Sequence, residues 1–114
     1  MIKRNLVLIG LPGSGKSTVS ALLSRHLGWP LLDTDEMVVQ REGRTIPEIF
    51  ACEGEDYFRR VETVCAREAA GTEEAVIATG GGIVLREENM TALRRSGFVC
   101  FLDQIGRASC RERV

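Results

Sequence analysis

The octet Gly10-Leu11-Pro12-Gly13-Ser14-Gly15-Lys16-Ser17 ends a glycine-rich loop with a cation and a hydroxyl. Glycines let the backbone curl so that successive N–H groups face inward, and a helix starting there adds its N-terminal partial charge. That combination is a nest for phosphates. Lys16 would bring a point charge to the outer phosphates, and the Ser17 hydroxyl would help hold Mg²⁺. A plain glycine turn explains neither Lys-Ser-Thr nor its register, so Gly13, Ser14, Gly15, Lys16, Ser17 and Thr18 are expected to contact a nucleoside triphosphate.

A second stretch, "LLDTDE" (Leu31–Glu36), sets two carboxylates one residue apart after an apolar run. On an extended segment Asp33 and Asp35 would point the same way, with Thr34 opposite. The competing reading is a helix N-cap followed by an acidic first turn. With a phosphate site nearby, the pair gains a use. One carboxylate beside the metal and one beside an acceptor hydroxyl would serve phosphoryl transfer, which depends on positioning and charge neutralisation.

Around these residues the chain alternates strand and helix patterns. Asn5–Ile9 reads as a central strand, followed by a helix through "KSTVSALLSRHLG" with Val19, Leu22, Leu23 and Leu27 at helical spacing. Trp29–Asp33 reads as a second strand and "DEMVVQREG" as a short helix. Thr45 and Glu48 form a T-x-x-E capping box with Pro47 in the first turn of the next. "EDYFRRVETVCAREAAG" is the longest helical stretch, with Phe58, Val61 and Cys65 along one side. "AVIATGGG" and "FVCFLD" read as further strands, separated by the helix "REENMTALRRSG". The expected class is α/β with a mainly parallel sheet. Ligands bind such sheets beyond the carboxyl ends of the strands, where the phosphate loop, the aspartates and Gly80–Gly82 all fall.

Composition narrows the classes. At 114 residues the chain holds at most one small domain, and its 44% hydrophobic and 27% charged content is ordinary for a globular protein. A net charge of −1 leaves no footprint for nucleic acid or an anionic membrane, and no apolar run is long enough to span one. Cys52, Cys65, Cys100 and Cys110 lack metal-ligand spacing and are expected as small buried thiols in a reducing, cytoplasmic setting. His26, near the end of the first helix, suits the helix dipole better than chemistry. The absence of an N-K-x-D base-reading motif argues against a GTPase, and the length against a motor or transporter. A small-molecule kinase is the expected class.

"GLPGSGKST", "DTDEMVVQREGRTIPEIFACEGEDYFRRVE" and "ATGGGIV" together resemble shikimate kinase, nearly continuously from Asn5 to Asp103. The resemblance implies a three-layer P-loop kinase fold and ATP-dependent phosphorylation of a shikimate hydroxyl, with Mg²⁺. It further implies a monomeric, cytoplasmic parent that takes neither nucleic acid nor membrane as partner. Asp33 resembles the residue that supports Mg²⁺ with Ser17. Asp35 resembles the one that grips the acceptor hydroxyls and takes the proton, with Lys16 as its catalytic companion. Arg59 would hold the substrate carboxylate, which suits a planar fork, and Glu62 at i+3 could orient it. Adjacent Arg59 and Arg60 point about 100° apart, so only one can face the cleft. Gly80, Gly81 and Gly82 would let backbone approach the substrate, against the plainer reading of a strand-ending turn. Gluconate-type kinases share the fold and phosphate loop but lack the D-T-D and F-R-R-x-E pairing. A non-catalytic nucleotide-binding remnant is the other alternative.

After Asp103 the resemblance implies a lid, a last strand and a closing helix, whereas residues 104–114 show no apolar periodicity and no family match. The codons ATC GGA AGA GCG TCG TGT AGG GAA AGA GTG translate to Ile105–Val114 and match a widely used sequencing adapter. The expected division is therefore 1–103 as an incomplete kinase domain and 104–114 as an artefactual tail. A polypeptide of these residues alone is expected to leave an unpaired sheet edge beside Phe98–Leu102, fold poorly and be close to inactive.

Overall fold

Strand β1 (Asn5–Gly10) runs through the middle of a five-stranded sheet, and its alternating side chains define two faces. A computed structural model describes residues 5–10, 16–102 and 108–111. Leu6 and Leu8 face helix α1 (Lys16–Leu27), where Val19, Leu23 and Trp29 pack with Val76 and Cys100. Val7 and Ile9 face the opposite layer. There they meet Ala66, Ala69 and Ala70 of α4 (Glu55–Ala70) and Met90 and Leu93 of α5 (Glu87–Ser96). Burial on both faces is why β1 carries no polar alternation.

The remaining elements are β2 (Leu31–Asp33), α2 (Thr34–Glu42), α3 (Ile46–Glu53), β3 (Val76–Thr79), a 3₁₀ turn (Gly81–Leu85), β4 (Gly97–Leu102) and β5 (Ala108–Arg111). Strand order is β2-β3-β1-β4-β5. The first four are parallel, and β5 runs antiparallel to β4. The mainly parallel α/β sheet read from the sequence is therefore the observed one. Gly97 closes against β1 without room for a side chain, since a Cβ there would overlap the Asn5 backbone. Asn5 in turn ties the central strands' entry together. Its buried amide donates to Thr72 O at 2.8 Å and accepts from Ala75 N at 3.0 Å.

Local signals place the helices. The Thr45–Glu48 capping box forms in both directions, at 2.9 and 3.3 Å, with Pro47 at the start of α3. Gly43 ends α2 at φ 68°, a left-handed conformation that glycine adopts without cost. Val38, Ile49, Phe58, Val61 and Cys65 then form a second core that binds α2, α3 and α4 into one unit.

Four expectations change. Leu22 and Leu27 are exposed, and among the described apolar residues of α1 Val19 and Leu23 pack on the sheet. Cys52, in the last turn of α3, is exposed rather than buried. Cys100 is buried but disulfide-bonded, not a thiol. The edge beside Phe98–Leu102 is paired, because Ala108–Arg111 lies against it in the register Cys100↔Cys110 and Leu102↔Ala108.

Candidate functional site

The carboxyl ends of the three neighbouring strands β2, β3 and β1 bring the candidate residues to one rim. Ile9 pairs with Thr79, so Gly10 and Gly80 leave the sheet at the same level, and Asp33, paired with Ala78, ends β2 two residues earlier on the same rim. Strand β1 ends at Gly10 and α1 begins at Lys16, which is the strand–loop–helix setting a phosphate nest requires. Lys16 and Ser17 are the first two residues of α1, and Thr18 behind them is exposed. Gly13, Ser14 and Gly15 lie outside the described residues.

The two aspartates do not share a strand face. Strand β2 stops at Asp33 and α2 starts at Thr34, which turns Asp35 into the first turn of a helix. Asp33 is the N-cap: its Oδ1 accepts from Asp35 N at 2.9 Å and Glu36 N at 3.3 Å. The capping reading thus holds for Asp33. Both bonds fall on Oδ1, so the cap does not use Oδ2. Asp35 instead packs on the glycines after β3, where a Cβ at Gly80 would lie 2.9 and 3.2 Å from its two carboxylate oxygens.

Arg59, on the second turn of α4, comes to the same strap from the other side. A Cβ at Gly82 would overlap its guanidinium. Its neighbour Arg60 is exposed, which settles which of the two faces inward. Arg59 Nη1 donates to Glu62 Oε1 at 3.1 Å, Nη2 to Glu55 Oε2 at 3.4 Å, and the guanidinium carbon sits 5.3 Å from the Phe58 ring centre. Its Nε is buried without a hydrogen-bond partner. Burial pushes the Glu62 carboxyl above the ordinary carboxylate value, against the pull of the Arg59 hydrogen bond and charge. Asp35 raises it further and Arg86 lowers it.

Gly80, Gly81 and Gly82 are more than a strand-ending turn. Gly80 O accepts from Ile83 N at 3.2 Å, and the segment continues as the 3₁₀ turn. Two of the three glycines make room for the protein's own charged side chains, a use that their spacing alone does not reveal. Sequence reasoning also missed Asn89, fully buried on α5, whose Nδ2 donates to Ile83 O at 3.1 Å. It missed a cluster behind the rim as well. Tyr57 Oη donates to Glu42 Oε1 at 2.7 Å, and Arg44 Nη2 bridges Glu42 and Glu53 at 3.2 and 3.3 Å. The Tyr57 hydroxyl holds the Glu42 carboxyl below its ordinary range, and the same bond raises the tyrosine. No sequence signal marks these pairs, because their members lie on different elements.

The family model for shikimate kinase matches residues 12–110. This chain belongs to the shikimate kinase family. It is 56% identical over 99 residues to the shikimate kinase of Symbiobacterium thermophilum, covering 87% of this chain and 57% of that protein. The structure of Acinetobacter baumannii shikimate kinase in complex with shikimate superposes with a TM-score of 0.85 at 40% identity. That match covers 88% of this chain and 56% of the other. The chain thus spans under two thirds of the length of these relatives. A gluconokinase from Sinorhizobium meliloti shares the fold at a TM-score of 0.54 and 21% identity, over 90% of this chain and 57% of the other. The much weaker likeness does not favour the gluconate-type alternative. Among the described residues no helix is long and apolar enough to cross a membrane, and no group of three or more His, Cys, Asp or Glu gathers as a metal cluster.

Proposed function

We propose that the full-length protein transfers the γ-phosphoryl group of ATP to a hydroxyl of shikimate, as family membership implies. The observation that carries this reading is the seating of Asp35 and Arg59, one carboxylate and one guanidinium, on the Gly80–Gly82 strap beside the phosphate-loop helix. A hydroxy acid needs both kinds of partner. Arg59 grips the acid's carboxylate, for which the unpaired Nε leaves donor capacity beyond the bonds to Glu55 and Glu62. Asp35 accepts a hydrogen bond from the acceptor hydroxyl and takes its proton as the new O–P bond forms. Gly81 and its flanking glycines bring backbone to the same acid.

ATP supplies the phosphoryl group, and Mg²⁺ neutralises charge on its oxygens. The N-terminus of α1 and Lys16 would hold the phosphates, with Gly13, Ser14, Gly15 and Thr18 around them. Ser17 and Asp33 would hold the cation. Asp33 suits a water-mediated contact, since both α2 cap bonds fall on its Oδ1 and not on Oδ2. The proposal places the protein in the cytoplasm as a monomer. It also assigns residues 1–103 to an incomplete kinase domain and 104–114 to an artefactual tail. The 57% span of the curated relative supports the first part of that division.

The test is shikimate-dependent ADP release by the full-length protein. Release should require shikimate and fall about 10²–10⁴-fold in Asp35→Asn, the usual worth of a general base. Release without shikimate, or equal release by the variant, would sink the assignment.

A further inference from the structure

The glycine strap is anchored from beneath at two points. Ile83 is fully buried in the core shared by β1, β3, α4 and α5. Its carbonyl receives the 3.1 Å bond from Asn89 Nδ2, and its own N–H bonds back to Gly80 O. Gly80 and Gly82 are therefore fixed in height by a residue on α5 that is completely buried. Above them sit the Asp35 carboxylate and the Arg59 guanidinium, each so close that a single methyl at the glycine beneath would collide with it. A strap displaced by a few tenths of an ångström must move both charged groups, because no side chain intervenes to absorb the shift.

We propose that Asn89 is a positioning residue for the acceptor site: through Ile83 it sets the height of the Gly80–Gly82 strap, and so the separation and orientation of Asp35 and Arg59. The inference rests on the shikimate reading above for the identity of the acceptor. Asn89 touches neither reacting group. Its own chemistry favours a positioning role over a purely stabilising one, since its Oδ1 is buried without a partner while only Nδ2 bonds the strap. An amide kept in the core with half its hydrogen-bonding capacity unmet gives up stability for geometry.

Asn89→Leu tests this in the full-length protein, because leucine keeps the γ-branched shape and removes both the donor and the unmet acceptor. The readouts are calorimetric affinities for shikimate and for ATP, thermal midpoint, and the amide resonances of Gly80 and Gly82. Shikimate affinity should fall about tenfold, the size of one lost hydrogen bond. ATP affinity should stay within about twofold and the midpoint near wild type, with both glycine amides shifted. Gly82→Ala should reproduce the acceptor-specific loss by displacing Arg59 directly. Wild-type shikimate affinity in Asn89→Leu, or equal loss for both ligands, would overturn the proposal. If leucine prevents folding, Asn89→Ser, whose hydroxyl is too short to reach Ile83 O, takes its place with the same outcomes. A wild-type protein that binds ATP but no shikimate would overturn the shikimate reading instead. The Gly80 and Gly82 shifts would then decide the strap by themselves, and unmoved resonances would reject it.

Discussion

Two of the arginine–glutamate pairs on helix α4 differ in what surrounds them. Arg67 reaches Glu88 of α5 at 2.9 Å, with side chains 63% and 45% exposed. Arg59 reaches Glu62 at the longer distance of 3.1 Å, with side chains 19% and 2% exposed. Length would rank the outer pair first, and burial reverses the order. Water screens the Arg67 pair, which costs side-chain freedom to form and contributes little. The Arg59 pair is desolvated, so removing either partner leaves the other's charge buried and uncompensated. The outer pair decorates a surface. The inner one keeps a cation against the glycine strap while a buried carboxylate holds its fork in place.

Breaking the two pairs should give effects of different size. Arg59→Ala has the largest: it strands Glu62 without a counter-charge, costing about 3–5 kcal/mol at neutral pH by denaturant unfolding. It should also abolish measurable shikimate binding. A smaller effect, with a distinctive pH signature, is expected for Glu62→Gln. Because burial raises the folded-state value of Glu62, the folded protein holds that proton more tightly than the unfolded chain. Stability from this group is thus fully present below the ordinary value of 4.5 and is lost as pH rises through the raised folded value. Glu62→Gln should remove that loss, so its unfolding free energy falls less than wild type's as pH rises above 4.5. Parallel profiles would contradict the burial argument. Least affected should be Arg67→Gln, within about 0.5 kcal/mol of wild type and with unaltered ligand affinities. A loss there equal to that of Arg59→Ala would dissolve the contrast between the two pairs.

Much of this architecture was legible because its signals are local. The glycine–lysine octet sits between a strand and a helix, and Thr45 and Glu48 cap the helix they were expected to cap. Arg59 and Glu62 lie one turn apart, so their pairing follows from helix geometry. What was not legible depends on packing between elements distant in sequence. "DTD" fits a strand tip and a helix cap equally well, and only where β2 stops decides that Asp33 caps while Asp35 turns onto Gly80. The glycine triplet reads as backbone freedom, but its fit to Asp35 and Arg59 needs three elements in place. Tyr57 and Glu42 are ordinary surface types until α2 and α4 are set side by side. Ala108–Arg111 has no strand pattern of its own and pairs because β4 presents an open edge.

Central to the proposed function is Arg59 as a fork for the acceptor's carboxylate rather than a general positive charge. A calorimetric titration of shikimate into the full-length protein and its Arg59→Lys variant tests this most directly. Lysine keeps the charge but loses the planar pair of donors. The account predicts binding by the wild type, at least about tenfold weaker binding by Arg59→Lys, and the same ATP affinity in both. Equal shikimate affinity in the two proteins would contradict it.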